Sequence, residues 1–482
     1  MTDIPLQFAD SDVFERVRTF FIQSGFTSSQ STGSGAPCAE MLSRFFSGNP
    51  VPEDEFLRTA GEAAYEDLRQ LGLITNNGEV LAAPVRIRPL WGNYVLSDLK
   101  GGSTRRQDDF VFAPDDPDTL NYLSYLPMKP CDSFLEACGG SGIAALIAAG
   151  RYAGHAYSSD IAERSTVFAR FSAALSGIAN FTAVTGDTYE PVGDLTFDRI
   201  AVHPPYVPGL RHSFLFDGGG ADGEEITRKH IENLPPRLKP GGRFYCRCMA
   251  GDRLGEPLEQ RIRKWLGGHE SDFDVALQVQ GYQELNTFVL KSVQLGKTRP
   301  EEIPLWEELF AKIGLQKLAL FVIVIQRHDS VRPPFTVRRE EGAFSGNKEL
   351  DWLIEFETAR ARRGASFILE SRLKANRVLA LNTVQTANEG DWTTRKLTVE
   401  VVHPHQLKYE IDPLSAYLLP KLDGTQTGAE LFQSLVNAEL ISSSDSSDAQ
   451  TFAAGLGELA SGGFLTVEGF EPPSPRSSGT GQ

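Results

Sequence analysis

The chain has 482 residues, 41% hydrophobic and 23% charged, the balance of a soluble globular protein with roughly two to four domains. Lys and Arg number 47 against 63 Asp and Glu, a net charge of −16, and this argues against a default binder of long RNA or DNA, whose grip comes from neutralising phosphates with cations. The longest apolar run, Leu318 to Ile325, is far short of the ~20 residues a membrane-spanning helix needs, and five cysteines are too few for a disulfide framework. No basic stretch followed by an apolar core opens the sequence, so a cytoplasmic setting and no membrane partner are expected.

Residues 1–105 read as a small helical, winged-helix-like domain. Val13, Phe14, Val17, Phe20 and Phe21 recur at helical spacing, and Gly25 can stop that helix. Gln30 to Ala36 reads as a loop, and a second helix is expected from about Glu53 to Leu71. Asn76-Asn77-Gly78 between Leu73-Ile74 and Val80-Leu81 predicts a hairpin. Such a unit is expected to cover or select substrate.

Residues 106–335 alternate short strand-like runs with helical ones. The strands expected are Phe134-Leu135, His155–Ser158, Thr182–Thr185, Ile200–Val202, Phe244–Cys246, Val275–Val279 and Leu318–Ile325. Alternation of this kind predicts an α/β sheet with helices on both faces. Residues 336–410 are poorly patterned and read as a connecting region. From 411 to 470 a second small winged-helix-like domain is expected. Asp412-Pro413 opens a helix, Leu422-Asp423-Gly424 makes a turn, Thr427 caps a helix through Val436, and Phe452–Leu459 and Phe464–Val467 give a last helix and strand. Ser442 to Ser447 reads as a loop and 471–482 as a disordered tail.

The chemistry concentrates in one stretch. An apolar strand ends at Glu136, Cys138-Gly139-Gly140-Ser141-Gly142 turns the chain, and a helix begins near Ile143. Asp160 ends the next strand, where a carboxylate can accept both hydroxyls of a ribose. Gly186-Asp187 ends the third. The fourth, Phe197–Val202, runs into His203-Pro204-Pro205-Tyr206. The C-terminal edge of an open α/β sheet is where ligands bind. Gly140-x-Gly142-x-x-Ala145 by itself also satisfies the loose dinucleotide fingerprint, so an NAD-dependent oxidoreductase is one alternative.

Taken in this order, with Leu238-Lys239-Pro240-Gly241-Gly242 and Asp217–Gly223, these segments resemble the class I S-adenosylmethionine-dependent methyltransferases. The likeness is to the Asn-Pro-Pro-Tyr branch of release-factor glutamine and N6-adenine methyltransferases, over about 110–250. It implies a Rossmann-like, seven-stranded, mostly parallel sheet and S-adenosyl-L-methionine as cofactor. It implies that Glu136 holds the cofactor's ammonium group, that Cys138, Gly140 and Gly142 line it, that Asp160 takes the ribose, and that Asp187 beside Thr188 takes the adenine amino group. Phe112 and Pro114 would cover the cofactor, and His203, Pro204, Pro205 and Tyr206 would form the acceptor site.

This chain departs from the pattern twice. Cys138 replaces the first loop glycine, so the loop is expected to avoid φ > 0 there. His203 replaces Asn. A neutral imidazole must choose a tautomer to accept a hydrogen bond, and it can also act as a base toward a hydroxyl or amine. The expectation is methyl transfer to an N or O atom of a protein side chain or small molecule. An RNA or DNA methyltransferase and a non-catalytic cofactor-binding module are further alternatives. Cys246 and Cys248, two residues apart on a strand, read as core residues, no metal site is expected, and His403 and His405 read as surface residues.

Overall fold

A computed structural model describes residues 5–27, 36–76, 78, 80–99, 109–210, 218–342, 345–388, 390–441 and 446–475. Its largest element is an eleven-stranded mixed sheet. In chain order the strands are β1 (Cys131–Ala137), β2 (Ala153–Asp160), β3 (Phe181–Thr185), β4 (Phe197–Val202), β5 (Leu238–Arg253), β6 (Phe273–Gln283), β7 (Leu315–Arg327), β8 (Thr336–Glu341), β9 (Ala380–Asn388), β10 (Asp391–Val401) and β11 (His405–Glu410). They lie in the order 3-2-1-4-5-7-6-8-11-10-9. From β3 to β5 all neighbours are parallel, and β7 runs antiparallel to β5 and β6.

The seven strands expected from the sequence are β1 to β7. The sheet has four more than expected, because β8 pairs in parallel with β6 and carries β11, β10 and β9 beyond it. Strand residues alternate between two buried faces: Phe134, Val322 and Val324 point into one core, Leu135, Phe321, Ile323 and Ile325 into the other. Cover on both sides explains why β7 is a continuous apolar run without being a helix. The strand order reverses between β1 and β4, which opens a crevice at their C-terminal ends.

Four helices frame that crevice: α1 (Pro117–Ser124), α2 (Ile143–Arg151), α3 (Glu163–Ser176) and α4 (Glu225–Glu232). The N-terminal unit is moored to α3. Phe14 and Phe21 share a core with Phe168 and Phe171, Leu96 N donates to Ser172 Oγ at 3.0 Å, and Arg164 pairs with Asp98. Within that unit the helix Ser11–Gln23 ends before Gly25 at φ 81°, as its pattern predicts. The helix expected over 53–71 is two, Glu53–Ala60 and Glu62–Gln70, because Gly61 at φ 85° breaks it. Thr75–Asn76 pairs with Val80–Ala82 as a hairpin. Of the Gln30–Ala36 loop only Ala36 is among the described residues.

The stretch 336–410 is ordered where no pattern was expected. Its helix Asn347–Arg363 buries Glu349, Asp351, Glu357 and Thr358, which blur the apolar stripe. Asp351 earns its burial by accepting from Arg243 at 2.9 Å. His403 and His405 are 5% and 0% exposed, contrary to the surface reading. β11 begins at His405 and brings it beneath this helix, against the Trp352 ring. Farther on, Thr427 caps Gly428–Asn437 through a reciprocal pair with Glu430, as expected. Asp423–Thr427 is a strand where a turn was expected, because it pairs with Arg372–Ala375. The last helix starts at Ser446, ahead of the expected Phe452, so the loop reading of Ser446 and Ser447 fails, while 442–445 lie outside the described residues. Among the described residues no helix is long and apolar enough to cross a membrane.

Candidate functional site

β1 delivers Glu136 to the crevice, and the turn after it builds the floor. Gly142 caps α2 at φ 72°, and a Cβ there would stand 2.8 Å from Ala169 Cβ of α3. Close packing demands this glycine. Unlike the rest of the loop it does not line the cavity, which corrects the expectation for it. Gly140 does line it, at φ 54°, and a Cβ there would meet nothing within 4 Å. Cys138 also lines it, and also has φ 54°, against the expectation that a cysteine would avoid that region. The turn from β1 into α2 needs a left-handed residue at this point. The side chain is pinned by α4, with Sγ 3.3 Å from His230 Nε2. A left-handed non-glycine costs about 1–2 kcal/mol.

Of the carboxylates that border the cavity, three come from strand ends, one from each of three strands. Glu136 is buried, and its Oε2 accepts from Ala145 N at 2.8 Å. Burial raises its carboxyl to about 8, against the pull of the α2 N–H groups. Asp160 accepts from Gly140 N at 2.8 Å and from Ala162 N at 2.9 Å, and burial raises it as well. The Ser165 hydroxyl donates to it as well and pulls the other way. Asp187 is held low by Lys229, which pairs with it, and by the Thr188 hydroxyl, which donates at 2.8 Å. Thr188 lines the cavity too.

The β4 strand ends at Val202 and releases His203-Pro204-Pro205-Tyr206, all four of which line the same cavity. The His203 ring stacks on Tyr122 of α1, 4.9 Å between centroids. Its Nε2 lies 3.2 Å from Asp118 Oδ2, within ion-pair distance though angled off the hydrogen-bond axis. Tyr206 donates its hydroxyl to the same Asp118 oxygen, and Arg247 Nη1 donates to Oδ1 at 2.5 Å. Arg247 is buried and also donates to Asn121 at 3.1 Å and Gln280 at 2.9 Å. Burial pushes the Asp118 carboxyl up, but the nearby His203 imidazole, the Tyr206 hydroxyl and the Arg247 guanidinium outweigh it and hold the group ionised well below its usual range.

Asp118 and Arg247 were missed in the sequence. Arg247 did leave a signal: it is a cation inside the apolar strand Phe244-Tyr245-Cys246-Arg247-Cys248, which requires a buried partner. Asp118 reads only as a first-turn acid of a capped helix. Cys246 and Cys248 are fully buried in the core.

The cavity has a volume of about 670 Å³. It brings together Glu136, Cys138, Gly140, Asp160, Asp187, Thr188 and His203 through Tyr206, with Phe112 and Pro114 on its wall. Gly218 reaches it from the expected Asp217–Gly223 loop, whose Asp217 lies outside the described residues. One enclosure therefore combines an anionic half, open to a cationic ligand, with an acceptor half built from an imidazole and two donor-free prolines.

No protein-family model matches the chain. It is 28% identical over 155 residues to the ribosomal protein uL3 glutamine methyltransferase of Bradyrhizobium diazoefficiens, 29% of this chain and 48% of that one. It thus spans about half the length of that relative. It is 31% identical over 139 residues, 27% of this chain and 68% of the other, to a Methanocaldococcus jannaschii protein provisionally named a protein N5-glutamine methyltransferase. Among solved structures, the ribosomal protein L11 methylase of Lactobacillus delbrueckii subsp. bulgaricus aligns at 18% identity and a TM-score of 0.25, covering 43% of this chain and 76% of that one. With its strand order, its cavity and these relatives, the chain belongs to the class I S-adenosylmethionine-dependent methyltransferases.

Proposed function

We propose that the protein transfers a methyl group from S-adenosylmethionine to a nitrogen or oxygen atom of a protein side chain, with a glutamine amide as the first acceptor to test. The single observation that carries this is the shared cavity, in which Glu136, Asp160 and Asp187 face His203-Pro204-Pro205-Tyr206. The relatives' names, both protein glutamine methyltransferases, favour a protein amide over other acceptors. The net charge of −16 disfavours nucleic acid.

The residues present fit the cofactor. Glu136 is a buried carboxylate with no cationic partner among the described residues, suited to an ammonium group. Gly140 leaves open space for a close approach. Asp160 keeps acceptor capacity for a ribose hydroxyl, and Asp187 with Thr188 would take the adenine amino group. Phe112 and Pro114 supply apolar cover. When bound, S-adenosylmethionine supplies a methyl group already activated on a sulfonium. The protein's task is then to place the nucleophile in line, and orientation of this sort is worth up to about 7–11 kcal/mol. Pro204-Pro205 holds the loop stiff and offers the acceptor no competing N–H donor. Tyr206, tied down through its hydroxyl, walls the pocket with its ring.

The test is direct. S-adenosylhomocysteine should raise the melting temperature and NAD should not. Tritiated methyl from S-adenosylmethionine should then appear in the protein fraction of a cell extract. Label in RNA or small molecules alone, or stabilisation by NAD alone, contradicts the proposal.

A further inference from the structure

His203 and Asp118 form a dyad that the sequence does not reveal. Asp118 comes from α1, His203 from the end of β4, and nothing in their spacing connects them. Nε2 of His203 is buried 3.2 Å from the Asp118 carboxylate, off the hydrogen-bond axis but with Asp118 as its ion-pair neighbour, so a small turn of either side chain would close the bond. The ring's other nitrogen, Nδ1, has no hydrogen-bond partner among the described residues, and the side chain lines the cavity. Arg247, buried and donating to Asp118, keeps that carboxylate charged. Tyr122 stacks on the ring, and Tyr206 sits at 5.7 Å from it, so the imidazole cannot turn freely.

We propose that Asp118 is the positioning residue of the acceptor site. It fixes His203 as the Nε2–H tautomer and so presents the Nδ1 lone pair to the methyl acceptor. The inference rests on the methyltransferase reading and narrows its substrate class. Imidazole Nδ1 and the Pro204 carbonyl are both hydrogen-bond acceptors, so the substrate must bring a donor: an amide or amine N–H or a hydroxyl, and not a carboxylate. The transfer then balances. The acceptor's lone pair forms the new N–C or O–C bond, the C–S bond breaks with its pair left on sulfur, and the acceptor's proton passes to Nδ1. The resulting imidazolium sits against Asp118 until it returns its proton to water.

The test begins without substrate. In protein labelled with ¹⁵N-histidine, two-bond proton–nitrogen correlations report the tautomer of each of the eight histidines. His203→Gln identifies the signals of interest. The wild type should show Nε2 protonated and Nδ1 bare, and Asp118→Ala should give a mixture of tautomers. Asp118→Asn keeps the shape and an acceptor oxygen but loses the charge. It should lower kcat by roughly 10²-fold, the scale of lost acid–base assistance, with an unchanged KM for S-adenosylmethionine. Its S-adenosylhomocysteine-induced melting shift should equal the wild type's. A wild-type Nδ1–H tautomer, or an Asp118→Ala protein with unaltered tautomer and kcat, overturns the dyad. Failure of S-adenosylhomocysteine to bind the wild type would instead remove the cofactor reading and leave the tautomer result standing.

Discussion

Gly140 and Gly142 have left-handed backbones only two residues apart, yet the structure gives them different jobs, and alanine at each should separate stability from ligand binding. At Gly142 an alanine pays twice. Its backbone would hold an L-residue at φ 72°, at about 1–2 kcal/mol, and its Cβ would press to 2.8 Å from Ala169 Cβ, an overpacking of about 1–3 kcal/mol. The sum, roughly 2–5 kcal/mol, should appear in equilibrium denaturation whether or not ligand is present. At Gly140 only the first term applies, because a Cβ there meets nothing within 4 Å. That methyl would instead occupy space on the cavity wall. Gly140→Ala should therefore cost about 1–2 kcal/mol in stability but weaken S-adenosylhomocysteine at least tenfold, about 1.4 kcal/mol by calorimetry. Equal affinity in Gly140→Ala and wild type, or a Gly142→Ala protein as stable as wild type, would refute this division of labour.

Three further changes follow from the same geometry. Cys138→Gly removes a side chain from φ 54° and should stabilise the fold by up to about 1 kcal/mol in denaturant, the strain relieved less the added chain entropy. Glu136 has its carboxyl raised to about 8, so it gives up a proton when it pairs with a cation near neutral pH. Affinity for S-adenosylmethionine should rise with pH up to about 8, by as much as tenfold per unit, and calorimetry in buffers of different ionisation heat should show proton release. In Glu136→Gln both the slope and the release should vanish. His405 is buried with neither ring nitrogen partnered, and burial lowers it from 6.5 to about 3. The unfolded chain binds that proton and the native one does not, so stability should fall as pH drops from about 6.5 toward 3, by up to about 1.4 kcal/mol per unit. His405→Leu should flatten that part of the pH–stability curve measured by denaturation.

The α/β core was legible because its signals are local. Most of the seven expected strands are short runs rich in apolar or β-branched residues, and the first four in chain order end at residues suited to the sheet's C-terminal edge, Glu136, Asp160, Asp187 and His203. What stayed hidden depends on distant partners. Asp351 and Glu357 look like solvent residues in a helix, yet both are buried, because Arg243 and Ser461 reach them from elsewhere in the chain. His403 and His405 look polar and exposed, until β11 joins the sheet and buries them. Hairpin strands β9 and β10 carry Thr, Asn and Gln on both faces toward their tip, so no alternation marks them. Asp118 is hidden for the same reason: its role exists only once α1 is laid against the end of β4. Cys138 is the reverse case, where a local rule was sound and the turn overrode it, at a cost in backbone strain.

The measurement that bears most directly on the account is single-turnover methyl transfer by wild type and His203→Ala, with S-adenosylhomocysteine binding measured on the same preparations. The account predicts that both proteins bind S-adenosylhomocysteine alike and that only the wild type moves labelled methyl onto a protein. If neither binds it, or if His203→Ala transfers methyl as fast as the wild type, the cavity is not the methyltransferase site described above.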